Sequence, residues 1–122
     1  MKLKNILLVV TDVNRSKAFY KSVFGLDVIR DFGGNVMLTE GLVLQEKKLF
    51  EEGIGKEVSF ANHSAELYFE ETDMDGFLKR LDESEFEITV LQEDLENSWG
   101  RRVVRLYDPD NHVIEVAEIT MG

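Results

Sequence analysis

Thr11-Asp12 and Thr72-Asp73 stand 61 residues apart, and each pair closes an apolar run and opens a helical one. Before the first lies "NILLVV" (Asn5 to Val10), β-branched and apolar; before the second lies "AELYFEE" (Ala65 to Glu71), which alternates cleanly. Both read as strands. After the first pair, "RSKAFYKSVFGL" reads as a helix capped by Asn14 and stopped by Gly25, with Phe19 and Val23 facing the sheet. After the second, Met74, Phe77, Leu78 and Leu81 form the i, i+3, i+4, i+7 stripe of an amphipathic helix. Three short strand-like runs then follow each helix: "DVIRDF", "NVMLTE" and "LVLQEK" in the first half, "FEITVLQ", "RRVVRLYD" and "HVIEVAE" in the second. Such a repeat restricts the fold more than any single motif. It predicts an α+β domain spanning 1–122, built from two β-α-β-β-β modules at about 1–48 and 63–122. The polar, Gly-containing stretch at about 49–62 has no sustained period and reads as their connection.

Strand alternation assigns a face to each side chain. Leu67, Phe69, Ile114, Val116, Leu42 and Leu44 belong to the helix-facing sides. Aligning "GLVLQEK" with "NHVIEVA" sets Gln45 against Glu115, and the 61-residue step sets Asn5 against Glu66. Four polar residues, Asn5, Gln45, Glu66 and Glu115, thus fall at matched places on the faces turned away from the helices. A solvated charge on an open antiparallel face would explain the glutamates without any site. The matched placement argues for one.

With 122 residues and 43% hydrophobic content, the chain supports one packed core and excludes disorder. Its formal charge of −10 repels nucleic acid and anionic membranes and favours cationic ligands or metal ions. Cysteine is absent, which removes disulfides, thiolate metal sites and cysteine nucleophiles. The apolar run in "MKLKNILLVVTDV" is too short to span a membrane and lacks a cleavage site, so a cytoplasmic location is expected.

"TDVNRSKAFYKSVFGLDV", with its "FY" pair and "GL" ending, and the closing "DPDNHVIEV" resemble the vicinal oxygen chelate superfamily, which includes glyoxalase I, extradiol dioxygenases, fosfomycin-resistance enzymes and bleomycin-resistance proteins. The resemblance covers nearly the whole chain. It implies an open, cup-shaped mixed sheet with helices outside, completed in a homodimer, and a small-molecule ligand. Metal-dependent relatives take ligands from the first and last strands of each module, positions that map onto Asn5, Gln45, Glu66 and Glu115. With no histidine among them, the all-oxygen set favours Mg²⁺, Mn²⁺ or Ca²⁺ over Zn²⁺ or Ni²⁺. Two functions follow from the resemblance. One is a metal-assisted lyase or isomerase acting on a small oxygenated metabolite, with Glu66 and Glu115 catalytic. The other is a non-catalytic, metal-free protein that sequesters a small cationic ligand, as the bleomycin-resistance branch does. Tyr68, Trp99, Arg102 and Tyr107 are candidates for the pocket wall. Arg101, Arg102 and Arg105 lie on a run whose two faces are both mixed, so pairing with an anionic substrate and balancing the acidic surface both stay open. His63 and His112 read as ordinary loop histidines.

Overall fold

A computed structural model describes residues 1–96 and 100–120. Those residues form eight strands and three α-helices, and the chain divides into two compact units, Met1–Ser59 and Phe60–Gly122. In the first unit β1 (Ile6–Val10), α1 (Val13–Phe24), β2 (Val28–Asp31), β3 (Asn35–Leu38), β4 (Leu42–Glu46) and α2 (Lys47–Ile54) follow in order. Its sheet runs β1-β4-β3-β2, with β1 and β4 parallel and the other pairs antiparallel. The second unit contains β5 (Glu66–Glu71), α3 (Met74–Glu83), β6 (Val90–Asp94), β7 (Val103–Tyr107) and β8 (Val113–Glu118). Its sheet repeats the arrangement as β5-β8-β7-β6, again with one parallel pair. Each unit is therefore a β-α-β-β-β module of an α+β fold. Even an irregularity recurs: the register shifts between Val28 and Arg30 in one sheet and between Val90 and Gln92 in the other. Among the described residues no helix is long and apolar enough to cross a membrane.

The helix starts follow one rule. Asp12 Oδ1 accepts from the Arg15 N–H at 3.1 Å, and Asp73 Oδ1 accepts from the Gly76 N–H at 3.0 Å. The cap of α1 is thus Asp12 and not Asn14, which lies inside the helix. Starting at Val13 lets that side chain be buried in the first turn, and Asp12 stands three residues before the Arg15 N–H, within a cap's reach. Gly25 ends α1 in a left-handed conformation (φ 70°), its N–H bonded to Lys21 O and that of Leu26 to Tyr20 O. Val10, Phe19, Tyr20, Val23, Val36, Leu38 and Leu44 are buried in the first unit, and Met74, Phe77, Val104, Leu106, Ile114 and Val116 in the second.

Three expectations shift. The 49–62 stretch begins with α2, two turns ended by Gly55 (φ 68°). Leu49 and Ile54 in it are half-exposed, so it lacks the buried stripe by which a helix shows itself in sequence. It packs closely over Gly34, where an added Cβ would fall 2.4 Å from Leu49 Cδ1. The strand expected from "FEITVLQ" starts only at Val90, because Phe86 is drawn into a turn by its N–H bond to Ser84 Oγ. Finally, the hydrogen-bonded register pairs Met37 with Val43 and Arg105 with Glu115, which makes Val43 the counterpart of Glu115 and Ala117 that of Gln45. The alignment by apolar pattern was two residues off. A slip of two returns every side chain to the same face, so the pattern alone does not detect it.

Candidate functional site

On β5 and β8 the alternation works as read from sequence: Leu67, Phe69, Ile114 and Val116 are covered or partly covered, and Glu66 and Tyr68 are exposed. Register then assembles a row across the second sheet. Tyr68 lies beside Glu115, Glu115 beside Arg105, and Arg105 beside Gln92. Direct neighbours in a sheet share a face, so these four side chains project together, opposite the buried Val104 and Leu106. The same row in the first sheet is Leu7, Val43, Met37 and Arg30. One module carries three apolar side chains and an arginine where the other carries a polar network.

Arg105 is the centre of that network. Its Nε donates to Glu66 Oε1 at 2.6 Å, its Nη1 to Gln92 Oε1 at 3.0 Å, and its Nη2 lies 2.7 Å from Glu115 Oε1. The hydrogen bond it donates to Glu66, with the charges of Glu66 and Glu115, holds the guanidinium even more firmly protonated than usual. Glu115 is the best covered of the three charges, its side chain 14% exposed. Tyr68 stands at the open end of the row, half-exposed, with its hydroxyl accepting from Arg101 Nη1 at 3.2 Å. Tyr107, two residues along β7 from Arg105, shares the face and meets His63 Nε2 through its hydroxyl at 2.5 Å. His63 is therefore tied to the sheet and is not a free loop residue.

Of the four residues named as metal ligands, Glu66 and Glu115 come together on one guanidinium. Asn5 and Gln45 belong to the first unit. Asn5 is exposed just before β1, near Gly41, whereas Gln45 pairs with Val9 at the other end of the same strand pair, about 13 Å along it. Gln45 Nε2 donates instead to Asn35 Oδ1 at 3.2 Å. Among the described residues no group of three or more His, Asp or Glu is placed to hold a metal ion. A divalent ion does not fit the donors as they stand, because a cationic nitrogen of Arg105 already lies against one oxygen of each carboxylate.

Arg102, named above for the pocket wall, is committed elsewhere. It forks onto Glu118 through Nε (3.1 Å) and Nη2 (2.7 Å) and reaches Asp75 of α3 through Nη1 at 2.7 Å. Such bidentate geometry fixes the ends of β7 and β8 and clamps them to the helix. Glu118's carboxyl is held below the usual carboxylate range by the Arg102 hydrogen bond first, against a smaller effect of burial. A depressed carboxyl contributes stability that is complete above its ordinary range and is lost as pH falls through the depressed value. Arg102→Ala should therefore lower the melting temperature at pH 7, with the deficit narrowing below about pH 4 as Glu118 protonates. Thermal melts of both proteins from pH 3 to 7 check this. A deficit that stays constant across that range would assign Arg102's contribution to packing. Trp99 lies outside the described residues.

Sequence reasoning did not find Gln92 or the role of Arg105. The run "RRVVRLYD" is mixed on both faces, and only pairing with β6 and β8 decides which arginine meets which partner.

Comparison with known proteins agrees with this architecture. The family model described as a glyoxalase-like domain matches residues 3–121. A search of curated proteins returned no match. Among solved structures, a protein of unknown function from Agrobacterium tumefaciens is 33% identical, with a TM-score of 0.82 over 98% of this chain and 94% of its own. The fosfomycin resistance protein FosX from Mesorhizobium loti is 15% identical, with a TM-score of 0.71 over 98% and 93%. Lactoylglutathione lyase from Agrobacterium tumefaciens is 23% identical, with a TM-score of 0.68 over 96% and 92%. The last two show a shared fold and no more. Two β-α-β-β-β modules, the family match over almost the entire chain and the structural likenesses lead to one assignment: this chain belongs to the glyoxalase-like domain family of the vicinal oxygen chelate superfamily.

Proposed function

We propose that this chain is a small-molecule-binding protein whose ligand rests on the polar face of the second sheet and is held without a metal ion. The observation that carries the reading is the row Tyr68, Glu115, Arg105 and Gln92, partly open to solvent where the first sheet has Leu7, Val43 and Met37. Pockets for small ligands combine apolar walls with a few oriented polar groups, and this face offers hydroxyl, carboxylate, guanidinium and amide within one row. Glu66, Glu70 and Glu115 outnumber Arg101 and Arg105, and the whole chain carries −10. The ligand class that suits such a face is oxygenated and neutral or cationic. The metal-assisted lyase or isomerase has less support, since Glu66 and Glu115 are engaged by Arg105. A cytoplasmic location and a homodimer accompany the reading. The dimer is checked by light scattering for a species of twice the chain mass.

The test is a thermal-shift titration of metal-stripped protein. Mg²⁺, Mn²⁺, Ca²⁺, Ni²⁺ and Zn²⁺ should each leave the melting temperature unchanged. Of bleomycin, fosfomycin and lactoylglutathione in EDTA, the cationic bleomycin should raise it in proportion to the logarithm of its concentration. Tyr68→Ala should abolish that rise. Stabilisation of the wild type by one specific ion, lost in Glu115→Gln, would overturn the proposal and restore the metal enzyme.

A further inference from the structure

Three strands aim one oxygen each at a single cation in the second unit: Glu66 Oε1 from β5, Glu115 Oε1 from β8 and Gln92 Oε1 from β6, each on a different nitrogen of Arg105 from β7. We propose that Arg105 is a permanent internal cation holding an oxygen-donor cage together, and that removing it exposes a divalent-cation site made by Glu66, Glu115 and Gln92. The inference rests on the metal-independent reading of this face and goes further, because it identifies what takes the place of the ion and which third residue completes the cage.

The chemistry of the donors supports it. All three are hard oxygens, two of them carboxylates, which suit Ca²⁺ or Mn²⁺ and not the softer metals. Without the guanidinium two negative charges face each other with no compensating charge, and relieving that repulsion is what draws in a cation. An ion is smaller than a guanidinium, so the oxygens must move inward. Long glutamate and glutamine side chains can do so, and the adaptable coordination of Ca²⁺ tolerates the result better than the strict octahedron of Mg²⁺. The cage is specific to this module: the counterparts of Glu115, Arg105 and Gln92 are Val43, Met37 and Arg30. In the first sheet Arg30 has the apolar Met37 and Val43 beside it in the row, so no carboxylate flanks a guanidinium there. Because arginine does not titrate in the working range, the internal cation is constant with pH, unlike a histidine-based or metal-based centre.

The experiment titrates Ca²⁺ and Mn²⁺ into wild type, Arg105→Met, Arg105→Lys and the double variant Arg105→Met/Glu115→Gln. Calorimetry and Mn²⁺ electron paramagnetic resonance serve as readouts. Wild type should show only weak binding that does not saturate within the titration. Arg105→Met should bind one ion per chain, tighter than wild type by on the order of ten- to a hundredfold, the effect of removing one like charge a few ångströms away. Arg105→Lys keeps a charge and should stay blind to the ions, and Glu115→Gln in the Met background should abolish the gain. If Arg105→Met unfolds early, the expected result is a Ca²⁺-dependent recovery of its melting temperature. An Arg105→Met chain with neither binding nor recovery overturns this inference and leaves the metal-independent reading intact. Equal binding by wild type and Arg105→Met overturns both.

Discussion

Phe77→Ala should cost the protein about 3–5 kcal/mol, a large share of a typical domain's 5–15 kcal/mol. Phe77 is 1% exposed and is the largest side chain that α3 buries. Val104, Leu106, Ile114 and Val116 of β7 and β8 are buried with it in the same unit, and the Arg80 guanidinium lies over its ring, 5.7 Å from the centroid. The first module does not share the burden in the same way. The residue 61 positions earlier is Ser16, also fully buried, and Phe19 and Tyr20 on the next turn supply the aromatic volume instead. Hence the second unit has no neighbouring aromatic on its helix to fill the cavity, and collapse around it will be partial. Urea unfolding should show a lower midpoint with an unchanged slope. A loss under about 1.5 kcal/mol would mean that Phe77 packs far more loosely than its burial implies.

Asp108→Ala should be nearly as damaging, at about 2–4 kcal/mol, through hydrogen bonding and not volume. The Asp108 side chain is completely buried. Its Oδ1 accepts from the N–H groups of Asp110 (2.9 Å) and His112 (2.8 Å), while Oδ2 meets His112 Nδ1 at 2.7 Å. Around it the backbone closes the turn, Asp108 N–H to His112 O and Asn111 N–H to Asp108 O, with Asn111 left-handed at φ 65°. Removing the carboxylate leaves two N–H groups unpaired in a place water reaches poorly, and each such loss costs about 1–3 kcal/mol. Asp108→Asn keeps Oδ1 for both N–H groups and should restore most of the stability in thermal melts. If Asn proves as damaging as Ala, the contact with His112 dominates and the turn's N–H groups contribute little. His112 is thereby a turn-building residue, more than the ordinary loop histidine its position in sequence suggests.

The repeat, the helix stripe and the strand faces were legible because each is written in local periodicity. Met74 and Phe77 are buried where the i, i+3 stripe puts them, and Glu66 and Tyr68 face away from Leu67 and Phe69 as alternation requires. α2 was not legible because Leu49 and Ile54 bury too little to mark a face. The exact partner of Glu115 was not legible either, since Gln45 and Val43 lie on the same face of β4 and the apolar pattern fits both alignments.

From the sequence alone followed the α+β class, two copies of one β-α-β-β-β module and a carboxylate pair, Glu66 and Glu115, on the face away from the helices. These depend on side-chain period and on repeated residues, which are properties of the chain taken a few residues at a time. Only the tertiary structure decided what those carboxylates do. Arg105, Gln92 and the two glutamates come from four strands, and their meeting is set by β-sheet register, in which pairing across strands and a bulge between Val90 and Gln92 select one neighbour out of several that the sequence permits.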